Sequence, residues 1–240
     1  MLERAAIGLL RAAKRLPRGH TRLAFTLPRL IPGLRERRVQ TRYGPMTLDM
    51  REEICHPLFV YGEYPHWRGE EHWLAKLPLD GVVLDIGANI GAMTVQFART
   101  AKHVHAFEPS PRALRLLRFN APENCTVHAV ALGDHNGRAY LEEAVSTDVS
   151  HIADHGTPVA MRTVDSLGLE PDFIKIDVEG YEPAVLRGAT ETLRAGPPIM
   201  FEALSADAFG HCKAAVLKAN QAYEFTAMGG INYLASVTNM

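Results

Sequence analysis

The stretch Val82-Val83-Leu84-Asp85-Ile86-Gly87-Ala88-Asn89-Ile90-Gly91 constrains the fold more than any other part of this chain. A mostly apolar run of strand length enters a glycine turn and leaves it as a helix, expected over 92–100. That order is how a buried parallel strand presents a turn to a ligand. Gly87 and Gly91 have no Cβ, so the backbone can bend tightly and approach a bound molecule. The Gly-x-x-x-Gly spacing lacks the third glycine of a dinucleotide-binding turn. Asp85 would repel a pyrophosphate and attract an ammonium or sulfonium group.

The alternation of apolar strand and helix continues downstream. Further strands are expected at His103–Phe107, 125–130, 172–176 and 198–201, with helices over Pro111–Asn120, 181–194 and 206–222. Such a pattern implies an α/β fold with a mostly parallel sheet covered on both faces. Segments 223–226 and 231–235, joined across Met228-Gly229-Gly230, read as a closing antiparallel hairpin. Residues 134–171 read as irregular apart from a strand at 138–142, and would form a loop over the site.

Upstream, 38–42 and 46–50 read as a short hairpin around Tyr43-Gly44-Pro45. Residues 52–80 form a connector rich in aromatics, including Tyr61, Tyr64, Trp67 and Trp73, with a helix near 69–77 and with Tyr61 and Tyr64 placed in a lid. The chain thus divides into a basic arm (1–37), a hairpin and connector (38–80) and an α/β domain (81–240).

Composition matters mainly for its unevenness. The net charge is −1, yet the first 42 residues hold eleven basic and two acidic side chains, a balance of +9, and the remaining 198 carry −10. Leu2, Ala6, Leu9, Leu10, Ala13 and Leu16 recur at helical spacing until Pro17. The arm is read as an accessory helix docked on the domain, as an interfacial helix on anionic lipid, or as a grip on an anionic substrate. Its apolar stretch, 5–10, is too short for the core of a secretory signal. No apolar run approaches the roughly 20 residues needed to span a bilayer. Cys55, Cys125 and Cys212 are odd in number and far apart, as expected of reduced thiols in a cytoplasmic protein.

Acids recur where the expected strands end. Glu108 follows the second strand, 23 residues after Asp85. An acid there can accept both hydroxyls of a ribose, or it can cap the next helix beside Ser110. Asp177 ends an apolar strand in Phe173-Ile174-Lys175-Ile176-Asp177-Val178-Glu179-Gly180, and an extended chain would turn Glu179 to the same side. Glu202 closes the following strand. Ligands of open α/β sheets bind outside the carboxyl ends of the strands, so Asp85, Glu108, Asp177 and Glu202 point to one site. Lys175, between apolar neighbours, needs a carboxylate partner. His103 and His105 are read as ordinary strand positions, and His151-Ile152-Ala153-Asp154-His155 as a solvated loop.

These segments, together with Phe107-Glu108-Pro109 and Ala131-Leu132-Gly133-Asp134, resemble the signature set of the FkbM family of S-adenosylmethionine-dependent methyltransferases. The resemblance covers about residues 40–240. It implies a Rossmann-like class I methyltransferase fold with a seven-stranded sheet, and O-methylation of a hydroxyl on a sugar, glycan, glycolipid or other secondary metabolite. It places Asp85, Gly87, Asn89 and Gly91 around the methionine part of S-adenosylmethionine. Glu108, with Pro109, falls at the ribose, and Ala131 and Leu132 at the adenine. Asp177 falls beside the transferred methyl.

An alcohol is a weak nucleophile, so a positioned base is expected: Asp177 or Glu179 first, then Glu202, with His151 and His155 as outside choices. Glu179 could instead only complement the dipole of the following helix, and the three acids could instead hold Mg²⁺. The rival readings are a nucleic-acid methyltransferase whose arm tracks phosphates, a dehydrogenase, against which the Gly-x-x-x-Gly spacing and Asp85 speak, and a non-catalytic cofactor-binding subunit. The acidic body speaks against the first, so no nucleic-acid partner is expected. The partner expected is a small molecule or glycan with a free hydroxyl. The arm, residues 1–42, would bring the protein to the inner face of a membrane. Nothing in the sequence bears on the oligomeric state.

Overall fold

The computed structural model describes residues 35–64, 79–143 and 150–237. The helix expected in the arm, the helix expected at 69–77, Trp67 and Trp73 lie outside the described residues. The chain begins with strands β1 (Glu36–Thr41) and β2 (Gly44–Asp49) and helix α1 (Cys55–Tyr61). The α/β part follows with β3 (Val82–Ile86), α2 (Ala92–Phe97), β4 (His103–Phe107), α3 (Pro111–Asn120) and β5 (Cys125–His128). After an inserted sheet come β10 (Phe173–Ile176), α4 (Glu182–Arg187), α5 (Thr190–Ala195), β11 (Ile199–Glu202), α6 (Ala206–Ala219), β12 (Tyr223–Gly229) and β13 (Asn232–Val237).

Seven strands form one sheet in the order β12-β13-β11-β10-β3-β4-β5. From β11 to β5 every neighbour is parallel, and the hairpin of β12 and β13 closes the other edge antiparallel. The winding starts at β3, runs outward to β5 and returns to β10 on the other side of β3. The strand order therefore reverses between β3 and β10, where a crevice opens at the carboxyl ends.

The period-2 alternation of each strand feeds two cores. Leu84, Ile86, Ile174 and Ile176 pack with Val185, Leu186, Leu193 and Val216 of α4, α5 and α6. Val83, Val104 and Phe173 pack on the other face with Met93 and Phe97 of α2. The β1–β2 hairpin buries Met46 and Leu48 against α1 and α3. Arg115 of α3 reaches Asp49 at 2.5 Å, and Arg112 reaches Glu52 at 2.7 Å. Asn120 accepts from the Thr47 N–H at 2.6 Å and donates to the Ile90 carbonyl at 2.8 Å, tying the hairpin to the glycine turn.

Three sequence expectations change. The stretch 134–171, expected to be irregular apart from a strand at 138–142, holds that strand as β7 (Gly137–Glu142) and two more, β8 (His151–Ala153) and β9 (Thr157–Arg162), which with β6 (Ala131–Leu132) form a four-stranded sheet ordered β6-β9-β7-β8. Its strands are short and bury only small patches such as Ala139, Leu141 and Met161, so the alternation is faint in the sequence. The single helix expected at 181–194 is two helices. They part at Gly188, where a Cβ would fall 1.9 Å from the Gly133 carbonyl oxygen. The first hairpin turns at Arg42-Tyr43, not at Tyr43-Gly44-Pro45, because Thr41 pairs with Gly44 and Tyr43 is buried against Tyr64. No disulfide joins Cys55, Cys125 and Cys212. Among the described residues no helix is long and apolar enough to cross a membrane.

Candidate active site

The glycine turn after β3 is pressed against the exit of β10. Gly87 has φ +76°, and a Cβ there would lie 1.7 Å from the Asp177 carbonyl oxygen, so glycine is required. Asn89 also adopts a left-handed conformation, φ 47°, unusual for a residue with a side chain. The turn aims the Asn89 N–H at Glu108, donating to Oε2 at 2.8 Å, while the Ser110 N–H donates to Oε1 at 2.8 Å. Glu108 is buried, and burial raises its pKa to about 7 against the pull of those two N–H groups. Ser110 also caps α3, accepting from the Ala113 N–H, so Glu108 is fixed by the loop that starts the helix.

At the other end the charges crowd. Lys175 sits opposite Asp85 in the β10–β3 register, and both are buried. Its Nζ donates to the Gly87 carbonyl at 2.9 Å and lies 3.2 Å from Asp177 Oδ2 and 3.4 Å from Asp85 Oδ1. Burial opposes the ammonium charge, but Asp177 and Asp85 outweigh it and raise the lysine pKa above its usual value. Thr94 donates to Asp85 Oδ2 at 2.5 Å. Asp177, Glu179 and Glu202 each bring a carboxylate oxygen within 4.8 Å of the others. Burial, then the charges of Asp177, Glu179 and Glu182, push Glu202 up to about 8 despite Lys175.

Glu179 is not reached by an extended chain. Its φ is +53°, a left-handed turn that returns the side chain toward Asp177. Nor is it the acid at the following helix start: Glu182 accepts from the Val178 N–H at 2.9 Å and the Gly180 N–H at 3.2 Å.

A cleft of about 880 Å³, counting its open mouth, joins the two ends. Of the residues singled out in the sequence, Gly87, Asn89, Glu108, Pro109, Ala131, Leu132, Asp177 and Glu179 line it. Asp85 and Gly91 do not, and Glu202 stands beside Asp177 and Glu179 outside the cleft lining. Strand alternation explains Asp85: it shares the face of Val83, toward α2, and meets the cleft only through Lys175. Gly91 starts α2 with its α-carbon packed toward Leu117, whose Cδ1 would lie 2.8 Å from a Cβ. Lining residues that the sequence reading missed include Leu141 and Ile152 from the inserted sheet and Tyr181 beside Gly133. Tyr64 lines the cleft from a buried position stacked on Tyr43, whereas Tyr61 is exposed. His151 lines it too, 3.8 Å from Glu142.

The strand order, the closing hairpin and the crevice at the reversal define a class I, Rossmann-like methyltransferase fold. Residues 85–225 match the methyltransferase FkbM domain, well over half of the chain, and the protein belongs to that family. It is 29% identical over 126 residues to the hexuronic acid methyltransferase AglP of Haloferax volcanii, covering 48% of this chain and 52% of that protein. It is 31% identical over 144 residues to the 2-O-methyltransferase NoeI of Sinorhizobium fredii, covering 48% of this chain and 59% of that one. The chain therefore matches little more than half the length of these relatives. The crystal structure of a methyltransferase FkbM from Methylobacillus flagellatus shares the fold, with a TM-score of 0.53 at 18% identity over 97% of this chain and 58% of that one.

The donor chemistry of the cleft fits S-adenosylmethionine. Each Glu108 oxygen accepts one N–H and keeps a lone pair for a hydroxyl, as two ribose hydroxyls require. Asp85 and Asp177 flank the one ammonium of Lys175, and Glu179 and Glu202 stand beside Asp177, so the opposite end carries surplus negative charge, which suits a cation.

Proposed function

We propose that this chain transfers a methyl group from S-adenosylmethionine to a hydroxyl of a sugar-type acceptor. When bound, the cofactor supplies an electrophilic methyl on a positively charged sulfur. Glu108 holds the ribose hydroxyls, and Ala131 and Leu132 border the adenine. Gly87 and Asn89 follow the methionine part, with Asp177 at the methyl end. The observation that carries this reading is a single cleft with a twice-anchored acid at one end and a carboxylate cluster at the other.

The carboxylates do the proton work. Lys175 fixes Asp177 in place, and Asp177 and Glu179 accept hydrogen bonds from the acceptor and orient it. Glu202, pushed up to about 8 by burial and the neighbouring acids, takes the hydroxyl proton through this cluster as the oxygen attacks. The relatives named for hexuronic acid and for 2-O-methylation support a sugar as acceptor. The experiment is incubation of the purified protein with S-adenosylmethionine and a panel of glycosides and glycans, with mass spectrometry of the products. O-methylated product supports the reading. Cofactor binding with no product on any acceptor favours a non-catalytic subunit, and no cofactor binding sinks both.

The charge of residues 1–42 supports a further part of this reading, attachment to the inner face of an anionic membrane carrying the acceptor. Sedimentation with anionic liposomes at low salt tests it. A protein that stays in the supernatant there refutes it.

A further inference from the structure

A cluster of three histidines lies outside the cleft lining. On β4, Val104 and Ala106 turn to one face of the sheet, and His103, His105 and Phe107 to the other. On β5, Thr126 and His128 share that second face, in register with His105 and Phe107. The His103-Val104-His105 spacing places two imidazoles side by side on one strand, and the neighbouring strand supplies a third. His105 Nδ1 and His128 Nε2 are 3.0 Å apart. The His103 ring packs edge-on to His105 with centroids 4.7 Å apart, and its Nε2 meets the Thr126 hydroxyl at 2.9 Å. His128 is itself stacked on Phe107 at 4.5 Å, which restricts its ring.

We propose that His105 and His128, joined by His103, chelate a divalent transition-metal ion of the zinc, copper or nickel type at this sheet edge. Imidazole nitrogens bind zinc at about 2.0–2.1 Å, so two on one ion stand about 2.9 Å apart at a right angle and about 3.4 Å apart in a tetrahedron. The observed 3.0 Å falls inside that range. The two nitrogens now face each other in a hydrogen bond, and each lone pair must turn by about 40° to converge on a shared ion. Swinging the His103 ring off Thr126 completes a three-nitrogen set of the kind that leaves a position for water.

A metal needs neutral imidazoles, and burial favours the neutral form of both His105 and His128. Arg162 is the adverse charge, although its guanidinium also donates to the Ser166 carbonyl. Affinity in the micromolar range is therefore expected. Nitrogen ligands select zinc, copper or nickel, whereas the oxygen cluster of Asp177, Glu179 and Glu202 suits magnesium or calcium. The His128 carbonyl accepts the Glu108 N–H at 3.1 Å, so an ion here would brace the strand end beside the ribose acid.

The test is equilibrium dialysis of the full chain, free of any affinity tag, against Zn²⁺, with Co²⁺ absorption as the spectroscopic readout. One equivalent bound at micromolar concentration is expected, weakened at least tenfold in His105→Gln and in His128→Gln and severalfold in His103→Gln. Glutamine keeps the size and hydrogen bonding of the pair, and circular dichroism confirms that each variant folds. A Glu202→Gln/Asp177→Asn variant is expected to bind Zn²⁺ as tightly as the parent. Binding that survives His105→Gln/His128→Gln, binding lost only with the carboxylates, or uptake only at millimolar Zn²⁺ would each overturn the proposal.

Discussion

At one end of the cleft Glu108 is buried alone, with a backbone N–H on each carboxylate oxygen. At the other, Asp177, Glu179 and Glu202 bring oxygens within 4.8 Å of one another beside one buried cation, Lys175. Both arrangements raise a carboxyl pKa, but for different reasons. Glu108 is raised by lost solvation, and its fixed partners make it a preorganised acceptor. Glu202 is raised by burial together with like charges, so it belongs to a set that holds a proton in common. In the proposed reading the first end binds and the second exchanges protons.

Lys175→Met should have the largest effect, because it removes the cation that both Asp85 and Asp177 share. An uncompensated buried carboxylate costs about 3–5 kcal/mol, and a melting temperature lower by about 10 °C is expected in calorimetry. Adding Asp85→Asn should restore part of that loss. Glu202→Gln should leave cofactor affinity within severalfold and lower turnover by about 100-fold or more. A comparable loss of cofactor binding would erase the distinction between the two ends. Glu108→Gln should do the reverse, weakening S-adenosylmethionine in isothermal titration by about 100-fold while sparing much of the turnover at saturation.

The pH dependence separates the ends more finely. Glu108 must be ionised to accept two hydroxyls, so cofactor affinity should rise with pH and level off above about 7, and Glu108→Gln should flatten the curve. Turnover should keep rising to about 8, where Glu202 becomes ionised. A single shared limb would mean that one group governs both steps. The smallest expected effect is that of EDTA: activity should stay within about twofold if the acid cluster holds a proton. Its loss, with recovery on Mg²⁺, would make the cluster a metal site.

The sequence exposed the fold where its signals were local and repeated. The strands at 82–86 and 103–107 and the helix at 111–120 are expected and observed with the same limits. Of the inserted sheet only the strand at 138–142 is expected, because two- to six-residue strands burying a few side chains leave little periodicity. Tyr64 read as a lid residue because its partner, Tyr43, lies 21 positions upstream. Glu182 was passed over because Glu179 stood nearer the strand end, yet Glu182 satisfies the Val178 and Gly180 N–H groups.

By itself the sequence determined the order of strands and helices, the glycine turn, and the presence of an acid near each carboxyl end. These follow from side-chain size, backbone freedom and short-range periodicity. Only the tertiary structure decided which acids face the cleft. Asp85, one residue before the end of its strand, turns inward to Lys175 because alternate residues of a strand point to opposite faces. Glu179 reaches Asp177 through a left-handed backbone that no spacing rule predicts. Glu202 joins them because β11 lies beside β10, a neighbour relation set by packing between segments distant in sequence.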